Sequence, residues 1–139
     1  EPPADQLLSA LTEGFARVYL ANARDGLTTI VFVHSVTSIA TLRGIAPYLA
    51  PDDLREATRY AWQSSSALYA AFGSQRAAAG EIEAPRESAE SIVDRAIASH
   101  DDHAIKFTEA CLREHAIAPS PTYLAAASHA VTVLSHPTS

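Results

Sequence analysis

Apolar side chains recur along most of the chain at intervals of three and four residues, the period of a helix that buries one face. Between Ala4 and Ala21 the stripe is Leu7, Leu8, Leu11, Phe15, Val18 and Tyr19, and Asp25-Gly26 supplies turn chemistry after it. Leu27 to Tyr48 is the most apolar stretch. Its opening, Thr28-Thr29-Ile30-Val31-Phe32-Val33, is rich in β-formers and taken alone could be a buried strand. Helical spacing continues through Val36, Ile39, Leu42 and Ile45, too far for a strand. The pattern therefore predicts a buried helix ending before Pro47, since the residue ahead of a proline resists helical geometry.

Asp53-Leu54-Arg55-Glu56 has the form of a capping box, in which the first and fourth side chains satisfy orphan backbone N–H groups. The helix it opens runs through Trp62 and Leu68 to Phe72, with Gly73 as a left-handed stop. Residues 73–86 are polar and alanine-rich, contain Gly80 and Pro85, and read as an internal loop or mobile linker. Ala89, Ile92, Val93, Ala96 and Ile97 then form a narrow stripe within Glu87 to Ser99. Ser99 is placed to cap a helix continuing to about His115, with Asp102 near its positive end. Ser120-Pro121 gives an N-cap and a first-turn proline for a last helix, Thr122 to Leu134, ahead of a His136-Pro137 tail. The expected fold is all-α: a bundle of six helices with short connections and no internal repeat.

A length of 139 residues, 47% of them apolar, fits a single helical domain over 1–139 or the carboxy-terminal part of a larger helical enzyme. A net charge of −6 without a Lys/Arg cluster argues against nucleic-acid binding. Cys111 is the only cysteine, so no internal disulfide is available and an oxidising compartment is not implied. Unbroken apolar runs such as Ile30 to Val33 are far short of the roughly 20 residues of a membrane span. No basic leader with a cleavage site opens the chain. The expectation is a cytoplasmic protein with no membrane partner. The chain has no methionine and begins Glu1-Pro2-Pro3, which points to a processed product or the surviving part of a longer protein.

Chemistry concentrates around three positions. His100, His103, Lys106 and Glu109 follow one another at three-residue steps, which on a helix keeps neighbours about 5–6 Å apart. Two imidazoles and a carboxylate suit a divalent first-row metal. The same residues also make an ordinary solvated helix start, and no HExxH or EF-hand motif supports the metal. His34 sits inside the most apolar segment, near Ile30, Val31, Thr37, Ser38 and Thr41. It reads as a core histidine bonded to a hydroxyl, or as a metal ligand or general base at a half-polar cavity wall. Lys106 is the only lysine and stands between Ile105 and Phe107. If buried, its amine would be neutral, nucleophilic and able to take up carbon dioxide as a metal-binding carbamate. If exposed, it would do neither.

The remaining candidates are weaker. His115 lies near a helix C-terminus, His129 beside Ala125, Ala126 and Val133 reads as packing, and His136 belongs to the tail. Cys111 reads as a small core residue, and Tyr60, Trp62 and Tyr69 as core in preference to the lining of a pocket for a flat aromatic ligand. No glycine-rich phosphate loop is present.

The segments Val31-Phe32-Val33-His34-Ser35-Val36-Thr37-Ser38, Tyr60-Ala61-Trp62-Gln63, Asp102-His103-Ala104-Ile105-Lys106-Phe107-Thr108-Glu109-Ala110-Cys111-Leu112-Arg113-Glu114 and Pro121-Thr122-Tyr123-Leu124-Ala125-Ala126-Ala127 resemble the carboxy-terminal part of the questin oxidase-like family. The resemblance runs from about Leu27 onward. It implies a mainly helical oxygenase that opens rings of polycyclic aromatic polyketides such as anthraquinones at a mononuclear non-haem iron, Fe(II), with NADPH as a candidate reductant. His34 matches the histidine of the family's His-x-Val-Thr motif, and His103 and Lys106 match its His-x-x-Lys, Lys106 being the carboxylated ligand. His100 receives no role. About half of the family pattern, with further histidines, lies outside this chain, so the resemblance implies that another chain or an amino-terminal half completes the site. Two non-catalytic classes compete: a helical small-molecule binding module, and a scaffold or dimerisation domain.

Overall fold

A computed structural model describes residues 3–135, so the His136-Pro137 tail lies outside the described residues. Helix accounts for 79% of the described residues, in six α-helices and one 3-10 turn, with no strand among them. They are α1 (Ala4–Asn22), α2 (Gly26–Ile45), α3 (Pro51–Phe72), α4 (Ala89–Ser99), α5 (Asp102–Ile117) and α6 (Pro121–Leu134), with a 3-10 turn at Ala46–Tyr48. The expected all-α bundle is the observed one. Helix α2 is central and packs against α1, α3 and α5, while α6 packs against α5, α1 and α4.

Asp25-Gly26 does more than end α1. The Asp25 carboxylate accepts from the Thr28 N–H at 2.8 Å, and the Thr28 hydroxyl accepts from the Asp25 N–H at 3.2 Å, a reciprocal cap that starts α2. The β-formers that follow are helical because one face drops into the core: Thr29, Phe32, Val33, Val36, Ile39 and Ala40 are buried. Tertiary burial overrides their strand propensity. By length and composition alone, Gly26–Tyr48 is also long and apolar enough to cross a membrane, which the count of unbroken apolar residues misses because Thr and Ser interrupt the run. Helix α2 ends at Ile45, just ahead of the 3-10 turn that contains Pro47.

Three expected boundaries shift. Helix α3 starts at Pro51 behind Ala50, two residues before Asp53, and no side chain caps it. Proline at the first helical position has already set the start. Gly73 is extended, with φ −73° and ψ 144°, and is no left-handed stop. A Cβ at Gly73 would overlap the Tyr69 ring, which is a sufficient reason for glycine. Asp101, not Ser99, caps α5 by accepting from the Ala104 N–H at 2.9 Å. His100 thus stands outside α5, in the left-handed conformation at φ 54°. Ser120 and Pro121 open α6 as expected, one residue early.

The segment between α3 and α4 is a loop, fastened rather than free. Buried Asn22 donates to the Gln75 carbonyl at 2.9 Å and accepts from the Ser74 and Gln75 N–H groups at 2.8 and 2.9 Å. Arg17 donates to the carbonyls of Ala78 and Gly80 at 3.2 and 2.7 Å. The core itself centres on Tyr19, Phe32, Phe107 and Tyr123, with the Tyr19 and Phe107 ring centres 4.8 Å apart. Cys111 is buried within it, as read. Tyr60 and Trp62 are not core: they are 54% and 47% exposed, because among the described residues α3 packs mainly on α2 and α1 and buries Leu54, Thr58 and Ser65. Tyr69 is half-buried, its hydroxyl donating to the Gln75 carbonyl at 2.9 Å.

Candidate functional site

Helices α2 and α5 meet along an open cleft of about 720 Å³ that His34, His103, Lys106, Glu109 and Arg113 help to line. His34 lies in the middle of α2, on the face turned away from buried Phe32 and Val36. His103 lies in the first turn of α5. Their rings face edge to face-plane, with centres 5.4 Å apart and planes at 87°. Residues 69 positions apart in sequence therefore share one spot, and their types and order match the candidate ligands of the sequence.

His34 is exposed and is not the hydroxyl-bonded core histidine of the alternative reading. The hydroxyls around it bond elsewhere. Thr37 and Thr41 donate to the carbonyls of Val33 and Thr37 in their own helix, at 3.0 and 2.7 Å. Ser65 of α3 donates to the Ser35 carbonyl at 2.9 Å and lies 3.4 Å from the Ser38 hydroxyl. The half-polar character of α2 thus serves two purposes: Ser35 and Ser38 meet α3, while Thr37 and Thr41 line the cleft. Partial burial lowers the His34 pKa from its ordinary value, and the neighbouring His103 and Lys106 lower it further. That favours the neutral imidazole, the form that binds a metal.

Lys106 belongs to the same cleft but not to an interior. Its side chain is 74% exposed, with Nζ 3.9 Å from the Asp102 carboxylate in an ordinary i,i+4 pair. Burial that would neutralise the amine is absent from its surroundings. Glu109 pairs with Arg113 at 3.4 Å. His100, off the helix and exposed, does not extend the His103, Lys106, Glu109 row.

Imidazole nitrogens about 2.1 Å from a shared divalent ion put ring centres about 5 Å apart, so the observed separation fits two ligands of one ion. Among the described residues no group of three or more His, Cys, Asp or Glu side chains is gathered for a metal. The fit to iron is therefore that of two imidazoles. The anionic third donor is not in place, because Lys106 is an exposed amine.

His129 and His115 have structural roles. His129 Nδ1 lies 2.8 Å from the Tyr19 hydroxyl. Burial, and then Cys111, raises the Tyr19 pKa, whereas burial lowers that of His129. Tyr19 is consequently the donor and neutral His129 the acceptor. His115 Nδ1 accepts from the Ser120 N–H at 3.1 Å, tying the end of α5 to the start of α6. Sequence reasoning missed Arg43 and Glu114, whose ion pair joins α2 to α5 behind the cleft. It also missed a second cleft of about 560 Å³ between α1 and α3, where exposed Trp62 stands with Leu7, Leu11, Arg55 and Arg59. A glutamate three residues from a helix end and an arginine in an apolar helix carry a signal of buried pairing only once the two helices are known to touch.

No family model, curated protein or solved structure matches this chain.

Proposed function

We propose that the cleft between α2 and α5 is part of the active site of a non-haem iron oxygenase acting on polycyclic aromatic polyketides, as the resemblance to the questin oxidase-like family implies. The observation that carries this reading is the meeting of His34 and His103 at 5.4 Å, from separate helices, on the wall of one cleft. Both imidazoles would hold Fe(II). Bound there, the metal would supply the activation of dioxygen needed for ring opening.

The chain's own residues have simpler tasks. Val33, Ile45, Ile105 and Ala110 give the cleft apolar wall on which a flat ring system loses water, and Thr37 and Thr41 border it. Lys106 stands at the rim, one helical turn beyond His103. It becomes an anionic ligand only once its amine is taken out of water. A neutral nitrogen there would add to the carbon of carbon dioxide with loss of a proton, and the resulting carbamate would give the two imidazoles an anionic partner for the iron.

The exposure of Lys106 favours a second reading, in which the cleft binds a small molecule without chemistry. Iron analysis of the anaerobically reconstituted protein separates the two. Iron retained by the native chain and lost in Lys106→Arg, which keeps the positive charge but forms no carbamate, is the result expected of the oxygenase. Iron retained equally by both removes Lys106 from the ligand set, and no iron in either leaves the binding module.

A further inference from the structure

Six positions of α2 and a row on α5 define the cleft as a groove with two unlike ends. Along α5 the row is His103, Ile105, Lys106, Glu109, Ala110 and Arg113; along α2 it is Val33, His34, Thr37, Thr41, Gly44 and Ile45. The two helices run in the same direction, since His34 meets His103 while the carbonyl of Ala40, further along α2, accepts from Arg113 at 3.3 Å. Ten residues separate His103 from Arg113, about 15 Å at the helical rise. The imidazole pair marks one end of the groove and a guanidinium the other; between them lie apolar Ile105 and Ala110, the hydroxyls of Thr37 and Thr41, and the charged side chains of Lys106 and Glu109 at the open side.

The guanidinium of Arg113 has spare capacity. Among the described residues its Nε is buried without a hydrogen-bond partner, and Nη2 is spent on the Ala40 carbonyl. Nη1 has the Glu109 carboxylate at 3.4 Å, a pair whose side chains are 36% and 60% exposed. Exposed pairs of this kind contribute little, so a better-placed anion displaces the carboxylate easily. Arg43 makes the contrast: it spends two N–H groups on buried Glu114 and shares one of them with Ser9, and it has nothing to offer a ligand. In a chain of net charge −6, Arg113 is where a carboxylate entering this groove finds a fixed planar partner.

We infer that Arg113 is a specificity-determining residue that binds a carboxylate at the end of the ligand remote from the imidazoles, and that the cleft therefore selects polycyclic aromatic carboxylates over their neutral analogues. This rests on the reading of the cleft as an aromatic-substrate site. Glu109 is the competitor for the same guanidinium, so substitutions at the two positions act with opposite sign.

The experiment is calorimetric titration of the metal-free protein with anthraquinone-2-carboxylate and, separately, with anthraquinone-2-carboxamide. The native chain is expected to prefer the carboxylate by about tenfold, the scale of one charge-assisted contact. Arg113→Gln abolishes the preference, Arg113→Lys keeps part of it, and Glu109→Gln enlarges it by relieving the competition. Circular dichroism of each variant checks the fold, and Glu109, being exposed, keeps the test open should Arg113→Gln unfold. Equal affinity of the native protein for both compounds, or a preference untouched by Glu109→Gln and Arg113→Lys, overturns the inference and leaves the aromatic site standing. Failure of both compounds to bind the native protein overturns the inference and the aromatic-substrate reading together.

Discussion

Arg43 of α2 reaches Glu114 of α5 through two N–H···O bonds of 2.9 and 2.8 Å, and Glu114 is fully buried. The same guanidinium donates to the Ser9 hydroxyl of α1 at 2.9 Å, so one side chain fixes three helices. This pair sets the register of α2 against α5 and therefore the approach of His34 to His103. Removing Arg43 strands a carboxylate in the core. Arg43→Ala is expected to lower unfolding stability by about 3 kcal/mol, the usual cost of leaving a buried charge unpaired. Urea denaturation checks it; a change within about 0.5 kcal/mol, typical of surface positions, would show that the pair does not hold the helices.

Acid should weaken the fold before any carboxylate is protonated. His129 is harder to protonate in the folded chain than in the unfolded one, because burial lowers its pKa. The unfolded chain therefore takes up the proton first, so stability is full above about pH 6.5 and falls as pH drops towards the folded pKa. His34, lowered by partial burial, His103 and Lys106, adds in the same direction. The urea midpoint is expected to decrease between about pH 7.5 and about pH 5.5, and to decrease less in His129→Gln. An unchanged slope in that variant contradicts the role given to the Tyr19–His129 bond.

Asn22 is the peg for the loop between α3 and α4, since its amide meets Ser74 and Gln75 on both its donor and acceptor sides. Asn22→Ala leaves these backbone groups without their partner and should cost about 1–3 kcal/mol. Limited proteolysis reads the local effect: cleavage between residues 73 and 88 speeds up, while the sites within helices stay protected.

Much of the fold was legible because helical periodicity and cap chemistry are local. The stripe in α1, the Ser120-Pro121 start of α6 and the loop after Phe72 needed no knowledge of neighbours. Errors arose where the deciding contact is distant or where two local signals compete. Pro51 overrode the Asp53–Glu56 box, the Tyr69 ring explains Gly73, and Tyr60 and Trp62 are exposed because nothing packs on the outer side of α3. The site divides the same way. His34 and His103 stand out separately by residue type and are joined only by the family resemblance, whereas the exposure of Lys106 depends on what lies over α5, which no spacing reveals.

The central claim is that His34 and His103 bind one metal ion together. Titration of Fe(II) into the metal-free native chain under anaerobic conditions, followed calorimetrically, tests it directly. The account predicts a single site per chain whose affinity falls roughly tenfold or more in His34→Ala and equally in His103→Ala, while His100→Ala binds as the native chain does. Saturable binding that survives loss of either imidazole, or no binding by the native chain, would contradict it.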